Sequence, residues 1–501
     1  MCWLLLVAGA PVQHKVASLP GWDRPLPSQM YSGYVNVTKD MGMPMMVHYW
    51  FILCQACQED HDPTILWTNG GPGASSMFGL LVELGPLLLN ENSIRTEEYK
   101  NTGVPTLFPN DFAWTKLGSI VMFDWPPPVG FSYCNDDPTG DGNSCGEWDD
   151  DRMAKVSYAA LSGWFELFPE RKAHPLYLTG ESYAGIYVPK LAEQIVQHAP
   201  PEIKFKGFAV GDGCLGTESG VCGASPVWWQ LTFLYGHHQI STLLYEAIIK
   251  TCGFNYLKTG GTAPQGCSEL LSRVAVEAGG YFAYSLYDDC IYEEGTRRRR
   301  RLALNSYADS SSALKLLGFN TDRLVGKQSK RLGDHNSPQE NSYVCAGDTT
   351  VTWSESSAVR KALNVPTNSA FFNGDNGAGM TYHSTEKNVM SFYQKVAQST
   401  DLRVMLYSGD TDPAVNSFSI QNWTLHLGYS PTQTWRPWTL DGCRRMGGYV
   451  TRYKERFDFL TIRGAGHMVP QYKPEPAFEF LRSWLANEDY KTYNASCVHP
   501  A

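Results

Sequence analysis

Short apolar runs alternate with helical patterns along most of the chain, and this alternation constrains the fold more than any other feature. The strand-like runs read HYWFIL, TILWTNGG, SIVMFDW, PLYLTG, FKGFAVGDG, RVMLYSGD and FDFLTIRGAGH. The second half adds the helical patterns SSAVRKALNV, EKNVMSFYQKVAQS and EPAFEFLRSWLAN. Strands separated by helices predict a mostly parallel sheet with helices on its faces, so we expect an α/β protein.

One interruption of this pattern divides the chain into four predicted segments. They are a leader at 1–18, a first core part at 19–211, an inserted cap at 212–345 and a second core part at 346–490. The insertion is rich in cysteine and aromatic residues and contains a polar tract, whereas strand-like runs resume after it. We therefore expect a single core that is built from two separated stretches of chain.

A basic tract inside the predicted cap suggests processing. Arg297 to Arg301 are five consecutive cations, which repel one another and do not favour packing. A second basic site, Lys330-Arg331, follows a Ser/Asp/Lys-rich stretch. We predict that the linker 297–331 is excised, and the alternative is a solvated loop that stays uncut.

The composition narrows the class of protein. The 501 residues are 43% hydrophobic and 18% charged, which is enough apolar material for a large core. A formal net charge of -9 argues against nucleic acid as a partner.

The start, MCWLLLVAGA, resembles a signal peptide that lacks a cationic beginning, and an ordinary buried segment is the alternative. No later stretch reaches the ~18 apolar residues that span a bilayer.

Cysteines and glycosylation sequons favour the secretory route. Thirteen cysteines predict several disulfides, and the odd number leaves at least one thiol over. The cysteines of the cap lack the spacing and the histidine partners of a zinc site, so we expect no metal. Asn-X-Ser/Thr sequons begin at Asn36, Asn422 and Asn494. The sequence leaves vacuole, lysosome and secretion open as destinations.

The stretch LTGESYAG, 178–185, places Ser182 between a strand-like run and an amphipathic helix. Small residues on both sides and the strand–turn–helix context are typical of a nucleophile elbow, where a strained turn exposes a serine hydroxyl. Taken alone, the stretch also fits a serine that merely occupies a turn. Other parts of the chain have to decide between these alternatives.

Two later loops supply the base and the carboxylate that a serine nucleophile needs. Asp410 and Asp412 follow the run RVMLYSG, and His467 follows FDFLTIRGAG. The order serine, aspartate, histidine, each after a strand, is the order found in α/β-hydrolases. Each residue alone fits an ordinary turn or surface loop, but their common order favours a catalytic triad.

A glycine-rich loop, LWTNGGPGASS at 66–76, follows another strand and lacks the lysine of a phosphate-binding loop. Backbone N–H groups of such a loop, together with the N–H of the residue after the nucleophile, can stabilise an oxyanion. That residue is Tyr183.

Five stretches in the same order resemble the serine carboxypeptidases. They read WTNGGPGASS, DWPPPVGFSY, LTGESYAGIYVPKLAEQI, YSGDTDPAVN and RGAGHMVPQYKPEPAFEFLRSWL. The similarity runs from about Leu19 to Leu485 and is weakest in the insertion. It implies an α/β-hydrolase fold, with a mostly parallel central sheet flanked by helices and an inserted helical cap. It also implies a secretory-route enzyme that removes C-terminal amino acids from peptides and proteins through an acyl-enzyme, without a cofactor.

The resemblance implies a role for each matching residue. Ser182 is the nucleophile, His467 is the general base, and Asp412, rather than Asp410, is the orienting carboxylate. The oxyanion-hole amides belong to Gly71 and Tyr183. The residues that hold the substrate's terminal carboxylate are Asn69, Gly70, Glu83 and Glu181, and Met468 lines the substrate pocket.

A carboxylate site beside the nucleophile explains why such an enzyme acts on chain ends. Holding the terminal carboxylate places the last peptide bond over Ser182. If Glu83 and Glu181 face each other there, like-charge repulsion raises the pKa of one carboxyl group, which keeps its proton and donates to the substrate carboxylate. We therefore expect an acidic pH optimum.

The chain departs from the family pattern at two places. Ala74 stands where relatives often have a cysteine bonded to one in the position of Cys345, which leaves Cys345 free or bonded elsewhere. Pro127 and Pro128 stand where relatives favour small residues, which tightens that loop. Neither departure touches the triad.

Two other functions stay open at this point. Plant relatives use the same triad to pass an acyl group to an alcohol, although they usually have Asp before the serine where this chain has Glu181. A protective or chaperone-like binding role beside catalysis is the second alternative. A homodimer is the oligomeric state that we keep open.

Overall fold

The computed structural model describes residues 10–57, 62–222, 226–288, 290, 316–317, 344–374 and 377–497. Half of the predicted leader and nearly all of the predicted linker, 297–331, lie outside these residues. The predicted excision is therefore a question for experiment.

A mixed twelve-stranded sheet organises the described part of the chain. Its strands are β1 (Lys15–Val16), β2 (Met30–Asn36), β3 (Met45–Ile52), β4 (Thr64–Thr68), β5 (Ser119–Phe123), β6 (Tyr133–Cys134), β7 (Leu176–Glu181), β8 (Phe205–Gly211), β9 (Arg403–Gly409), β10 (Pro431–Thr439), β11 (Met446–Tyr453) and β12 (Phe457–Ile462). Along the sheet the order is β1-β2-β3-β5-β4-β7-β8-β9-β12-β11-β10, and β6 pairs with β3. Two short pairs lie apart: Leu87–Leu88 with Phe108–Pro109, and Trp148–Asp149 with Tyr382–His383.

The sheet is parallel in its centre and antiparallel at both flanks. Strands β5, β4, β7, β8, β9 and β12 run parallel to one another. Strands β1 to β3 on one side, and β10 and β11 on the other, add antiparallel pairs. The predicted α/β-hydrolase fold with a parallel centre and flanking helices is confirmed, and the antiparallel flanks are the part that the sequence pattern did not predict.

Helices connect the strands. They are α1 (Thr38–Met41), α2 (Glu97–Thr102), α3 (Asp150–Leu167), α4 (Ala184–His198), α5 (Val227–Gly236), α6 (Thr242–Cys252), α7 (Phe254–Thr259), α8 (Cys267–Ala278), α9 (Thr349–Ser354), α10 (Ser357–Ala362), α11 (Met390–Ser399), α12 (Ser417–Leu425), α13 (Val469–Tyr472) and α14 (Pro474–Ala486). Short 3-10 or π turns occupy Val12–His14, Gly79–Leu84, Glu91–Ile94, Trp114–Lys116, Pro169–Ala173 and Ala495–Cys497. Among the described residues, no helix combines the length and the apolar character that crossing a bilayer requires.

The three helical patterns predicted in the second half correspond to α10, α11 and α14. Helix α10 is shorter than predicted because Asn364 has a left-handed backbone, with φ of 56°, and Pro366 follows two residues later.

Two buried clusters cover the two faces of the sheet. Helices α3, α4, α11 and α12 contribute to the cluster that contains Leu66 and Leu178. Helices α9, α10, α13 and α14 contribute to the cluster that contains Trp67 and Tyr177. Side chains alternate between faces along a strand, so a central strand covered on both sides needs buried residues throughout. Strands β4, β5, β7 and β12 are buried at every position for this reason.

Helices α5 to α8 fall within the predicted cap and pack around a third buried cluster of their own. Its centre includes Leu231, Ile248 and Leu271. This separate core agrees with an inserted helical unit, while the limits 212–345 stay a prediction.

Six disulfides tie the described part of the chain together. They join Cys54 to Cys57, Cys134 to Cys145, Cys214 to Cys222, Cys252 to Cys267, Cys290 to Cys345 and Cys443 to Cys497. Cys345 is therefore bonded within the insertion instead of to the loop that holds Ala74. The thirteenth cysteine, Cys2, lies outside the described residues. This number of disulfides indicates the secretory pathway.

Candidate active site

Ser182 occupies a strained turn between β7 and α4. Its φ is 65°, a left-handed value that non-glycine residues rarely adopt. Three backbone hydrogen bonds hold it there: its N–H donates to Gly211 O, and its carbonyl accepts from the N–H groups of Gly185 and Cys214, each at 2.9 Å. The turn presents the serine at the carboxyl edge of the parallel strands, as a nucleophile elbow does.

Small residues around Ser182 allow the glycine-rich loop to approach it. A Cβ atom added to Gly70 would lie 2.3 Å from Tyr183 N and 2.9 Å from Ser182 Cβ. A Cβ added to Gly180 would lie 2.5 Å from Thr68 O. These contacts explain why the sequence around the serine reads GESYAG and why a glycine pair follows β4.

Asp412 and His467 form a buried hydrogen-bonded pair. Asp412 Oδ2 lies 2.6 Å from His467 Nδ1, and Asp412 Oδ1 accepts from the Ala414 N–H at 2.8 Å. The neighbouring Asp410 instead accepts from the Gly464 N–H at 2.6 Å. His467 Nε2 is buried and has no hydrogen-bond partner in the described part of the chain, so no bond joins it to Ser182 Oγ in this structure.

Tyr284 contacts His467 from the predicted cap, and no sequence motif pointed to it. Its ring stacks on the imidazole with centroids 4.8 Å apart, and its carbonyl accepts the His467 N–H at 2.8 Å. These contacts fix the imidazole plane and cover one of its faces. Sequence reasoning missed Tyr284 because its position depends on how the insertion folds back over the sheet.

The two amides predicted for the oxyanion hole find no acceptor among the described residues. Within the described residues, neither Gly71 N–H nor Tyr183 N–H donates to any acceptor. Tyr183 is held by its phenol, which donates to Asp150 at 2.9 Å. The two N–H groups are therefore available to an incoming oxygen, which is what an oxyanion hole requires.

Asn69 links two buried glutamates beside Ser182. Its Nδ2 donates to Glu181 Oε1 at 2.8 Å and to Glu83 Oε1 at 3.4 Å. Its Oδ1 accepts from Trp67 Nε1 at 2.8 Å and from the Gly79 N–H at 3.1 Å. The two donors to Oδ1 fix the orientation of the amide, so that its NH₂ group must face the carboxyl groups.

Both glutamates hold their protons more tightly than an exposed carboxyl group does. Burial raises the pKa of Glu83 to about 7. Burial, together with the adjacent charge of Glu83, raises the pKa of Glu181 well above its usual range. The pair therefore keeps a proton in acidic and mildly acidic solution.

Asp212 is a further carboxyl group at this site that sequence analysis missed. It follows β8, and its side chain is fully buried. One of its carboxyl oxygens lies within 4.8 Å of a carboxyl oxygen of Asp412 and of a ring nitrogen of His467. The signal was present in the letters GDG directly after the run FKGFAV, because an acid after a parallel strand falls at the same sheet edge as Ser182.

A buried hydrogen-bonded pair, His48 and Asp124, contacts the glycine-rich loop. His48 Nδ1 lies 2.8 Å from Asp124 Oδ2, and both side chains are fully buried. Ser32 donates its hydroxyl proton to Leu363 O at 2.7 Å, so it accepts from His48 Nε2 at 2.9 Å. Asp124 Oδ1 accepts from the Ser75 hydroxyl at 2.5 Å, which connects the pair to the glycine-rich loop.

The remaining predicted residues lie in different surroundings. Met468 follows His467 directly and belongs to a buried cluster on one face of the sheet. Asn36 and Asn494 are exposed, whereas Asn422 is partly buried in α12. A lining role for Met468 and glycans on the asparagines stay predictions.

Comparison with known proteins agrees with this geometry. A family model described as serine carboxypeptidase matches residues 20–487. Serine carboxypeptidase 1 of Hordeum vulgare is 32% identical over 95% of this chain and 93% of its own length. Lysosomal protective protein of Mus musculus is 30% identical over 98% of this chain and 97% of its own length.

A solved structure shares the fold. It is Kex1Δp, a prohormone-processing carboxypeptidase from Saccharomyces cerevisiae, which matches with a TM-score of 0.64 and 19% identity over 97% of this chain and 99% of that one. The family model and the curated relatives span almost the entire chain, and the chain therefore belongs to the serine carboxypeptidase family.

Proposed function

We propose that the chain removes C-terminal amino acids from peptides and proteins, with Ser182 as the nucleophile. The observation that carries this proposal is the buried cluster of Asn69, Glu83 and Glu181. Its member Glu181 directly precedes Ser182, the residue with the strained backbone. A serine hydrolase of internal bonds has no need for carboxyl groups that hold a proton beside the nucleophile. A site for the terminal carboxylate of a substrate can use them as hydrogen-bond donors.

Each residue of the site has a step in this mechanism. Ser182 Oγ attacks the carbonyl carbon of the last peptide bond, and its proton passes to His467 Nε2. Asp412 stabilises the resulting imidazolium, and the N–H groups of Gly71 and Tyr183 stabilise the oxyanion. The imidazolium then gives its proton to the leaving amine, and water hydrolyses the acyl-enzyme by the same steps in reverse order.

The carboxyl cluster selects chain ends. A protonated glutamic acid and the Asn69 amide can donate hydrogen bonds to the terminal carboxylate, which places the last peptide bond over Ser182. An internal peptide bond offers no such charge and leaves these buried groups without partners. Gly70 would contribute at the same place through its backbone.

The proposal predicts a specific loss in the variant Ser182→Ala. This change deletes one hydroxyl group, so folding stays intact while stepwise release of C-terminal amino acids falls by at least about a thousandfold. Fluorophosphonate labelling of the wild type and the variant, with product masses from an N-blocked peptide, measures both effects. Labelling of the Ala variant would reject Ser182 as the nucleophile.

The same product analysis separates hydrolysis from acyl transfer. Glu181, where plant transferases usually have Asp, favours hydrolysis, so free amino acids accumulate even when an alcohol is present. A protective binding role beside catalysis rests on the 30% identity to the mouse relative alone. We further propose a lysosomal, vacuolar or extracellular destination, with glycans at the sequons.

A further inference from the structure

Asp212 holds the start of the turn that carries Asp412. Its Oδ1 accepts from the Ser408 hydroxyl at 2.7 Å and from the Gly409 N–H at 3.0 Å. The Gly409 carbonyl in turn accepts from the Asp412 N–H at 3.3 Å. Asp212 itself has a left-handed backbone with a φ of 41°, and its N–H donates a hydrogen bond to Tyr407 O at 2.9 Å. The two strands β8 and β9 thus position the Asp412 carboxylate through one shared side chain.

Several acidic groups surround Asp212. Facing it are Asp410 and Asp412 from the turn after β9, His467 from the loop after β12, Glu181 from the end of β7, and the phenol of Tyr407. In the part of the chain that the structure describes, no lysine or arginine forms an ion pair with Asp212.

The two neighbouring carboxyl groups differ in their partners. Asp412 lies 2.6 Å from the His467 imidazole, whereas Asp212 accepts from the neutral Ser408 hydroxyl and Gly409 N–H only, within the described residues. Asp212 and Asp412 are both fully buried, and two anions this close in a buried site repel each other strongly. Burial and the charge of Asp412 raise the pKa of Asp212 well above its usual range.

We propose that Asp212 is a positioning residue for the Asp412–His467 pair and that it serves as a neutral carboxylic acid. It fixes the turn without adding a second negative charge behind the imidazole. An ionised Asp212 would stabilise the imidazolium and reduce the fraction of His467 that can accept the Ser182 proton. The kinetic consequence rests on the proposed function, whereas the protonation itself does not.

The kinetic test compares Asp212→Asn with Asp212→Ala on C-terminally amidated peptides, which lack the terminal carboxylate. The asparagine variant keeps the shape, the acceptor and the neutrality, so kcat/KM falls by less than about threefold, while the alanine variant loses about tenfold or more. The acidic limb of kcat/KM against pH follows His467 and stays in place in the asparagine variant. A shift of this limb by about one pH unit or more towards acid would show that Asp212 is ionised and would overturn the proposal.

Thermal unfolding gives a second measurement that needs no activity. A raised native pKa means that Asp212 stabilises the fold fully below the unfolded pKa of about 3.9, and that this contribution is lost as pH rises. The side chain that Asp212→Asn introduces cannot ionise in the folded or the unfolded state. The Tm of this variant relative to wild type therefore increases by about 2 °C or more between pH 4 and pH 7. A constant difference across this range would overturn the proposal, even if the peptidase function itself proved wrong.

Discussion

The carboxyl groups of Glu83 and Glu181 lie 2% and 4% exposed beside Ser182, and we propose that they bind the terminal carboxylate of the substrate. Because burial raises the pKa of Glu83 to about 7, this carboxyl group is protonated below that pH and ionises as pH rises through it. We expect the ionised carboxylate to repel the terminal carboxylate of a substrate. Binding of free-acid peptides therefore weakens as pH rises, whereas protonation of His467 limits activity on the acidic side.

This gives a prediction for a matched pair of peptides. For the free acid, KM rises by on the order of tenfold between pH 5 and pH 8, because the ionised pair repels the substrate carboxylate. For the amide, this rise disappears and the optimum moves towards neutral pH. Glu181→Gln, which keeps a donor that cannot ionise, flattens the free-acid profile. Identical profiles of kcat/KM for acid and amide would contradict the role of the pair.

At the residue scale, contiguous motifs carried most of the information. The residues around Ser182 form one contiguous motif, and the glycine-rich loop forms another. In each motif, close backbone contacts at Gly180 and Gly70 leave no room for a larger side chain. Asp212 was missed because an aspartate after a strand is common. Its role depends on hydrogen bonds from Ser408 and Gly409 of the neighbouring strand β9, which the sequence around Asp212 does not record. Tyr284 could not be predicted, since its contact with His467 depends on the path of the insertion.

At the scale of elements, the His48–Asp124 pair joins β3, the end of β5 and the glycine-rich loop. The variant His48→Phe leaves the buried Asp124 carboxyl group without its imidazole partner. We expect a loss of about 1–3 kcal/mol in the free energy of unfolding, because a buried polar group loses its hydrogen bond. Because Ser75 is bound to Asp124, kcat also falls. Denaturant unfolding and peptide kinetics of the variant measure the two effects.

A surface ion pair provides the control for the buried His48–Asp124 pair. Arg95 lies 3.1 Å from Glu91, four residues earlier in the chain, and 55% of the Arg95 side chain is exposed. Arg95→Ala should change stability by no more than about 0.5 kcal/mol. Equal losses in the two variants would mean that the buried pair contributes no more than a surface contact does.

Strands were predictable where both faces are buried. The central strands β4, β5, β7, β8, β9 and β12 read as apolar runs, which is what burial between two helix layers requires. Strands β10 and β11, PTQTWRPWT and MGGYVTRY, contain prolines, glycines and exposed polar residues. Strand β11 pairs with the edge of β12, and β10 pairs in turn with β11, which is a tertiary cause that no local pattern records.

At the scale of the whole molecule, excision of the linker 297–331 would leave two chains. Of the disulfides in the described part, only Cys290–Cys345 crosses the predicted cuts. The sheet also crosses them, because β8 precedes the linker and pairs with β9, which follows it. We predict two bands under reducing denaturing conditions, one band without reductant, and a single species in native size exclusion.

The variant Cys290→Ser isolates the contribution of that disulfide. After processing, its two chains should separate in a denaturing gel even without reductant, while the paired strands keep them together in native buffer. A single full-length band for reduced wild-type protein would reject the excision.

The contact between Tyr284 and His467 ties the insertion to the proposed general base. A Cβ atom on Gly466 would lie 2.5 Å from Tyr284 O and 2.6 Å from Ser285 Cβ, so the two segments are fitted to each other without spare room. A chimera that carries the insertion of a relative would lose the contacts that Tyr284 makes with His467. The surroundings of the imidazole that we propose as the general base would therefore change as well. We therefore expect the acid–base behaviour of His467 to change whenever the insertion is exchanged.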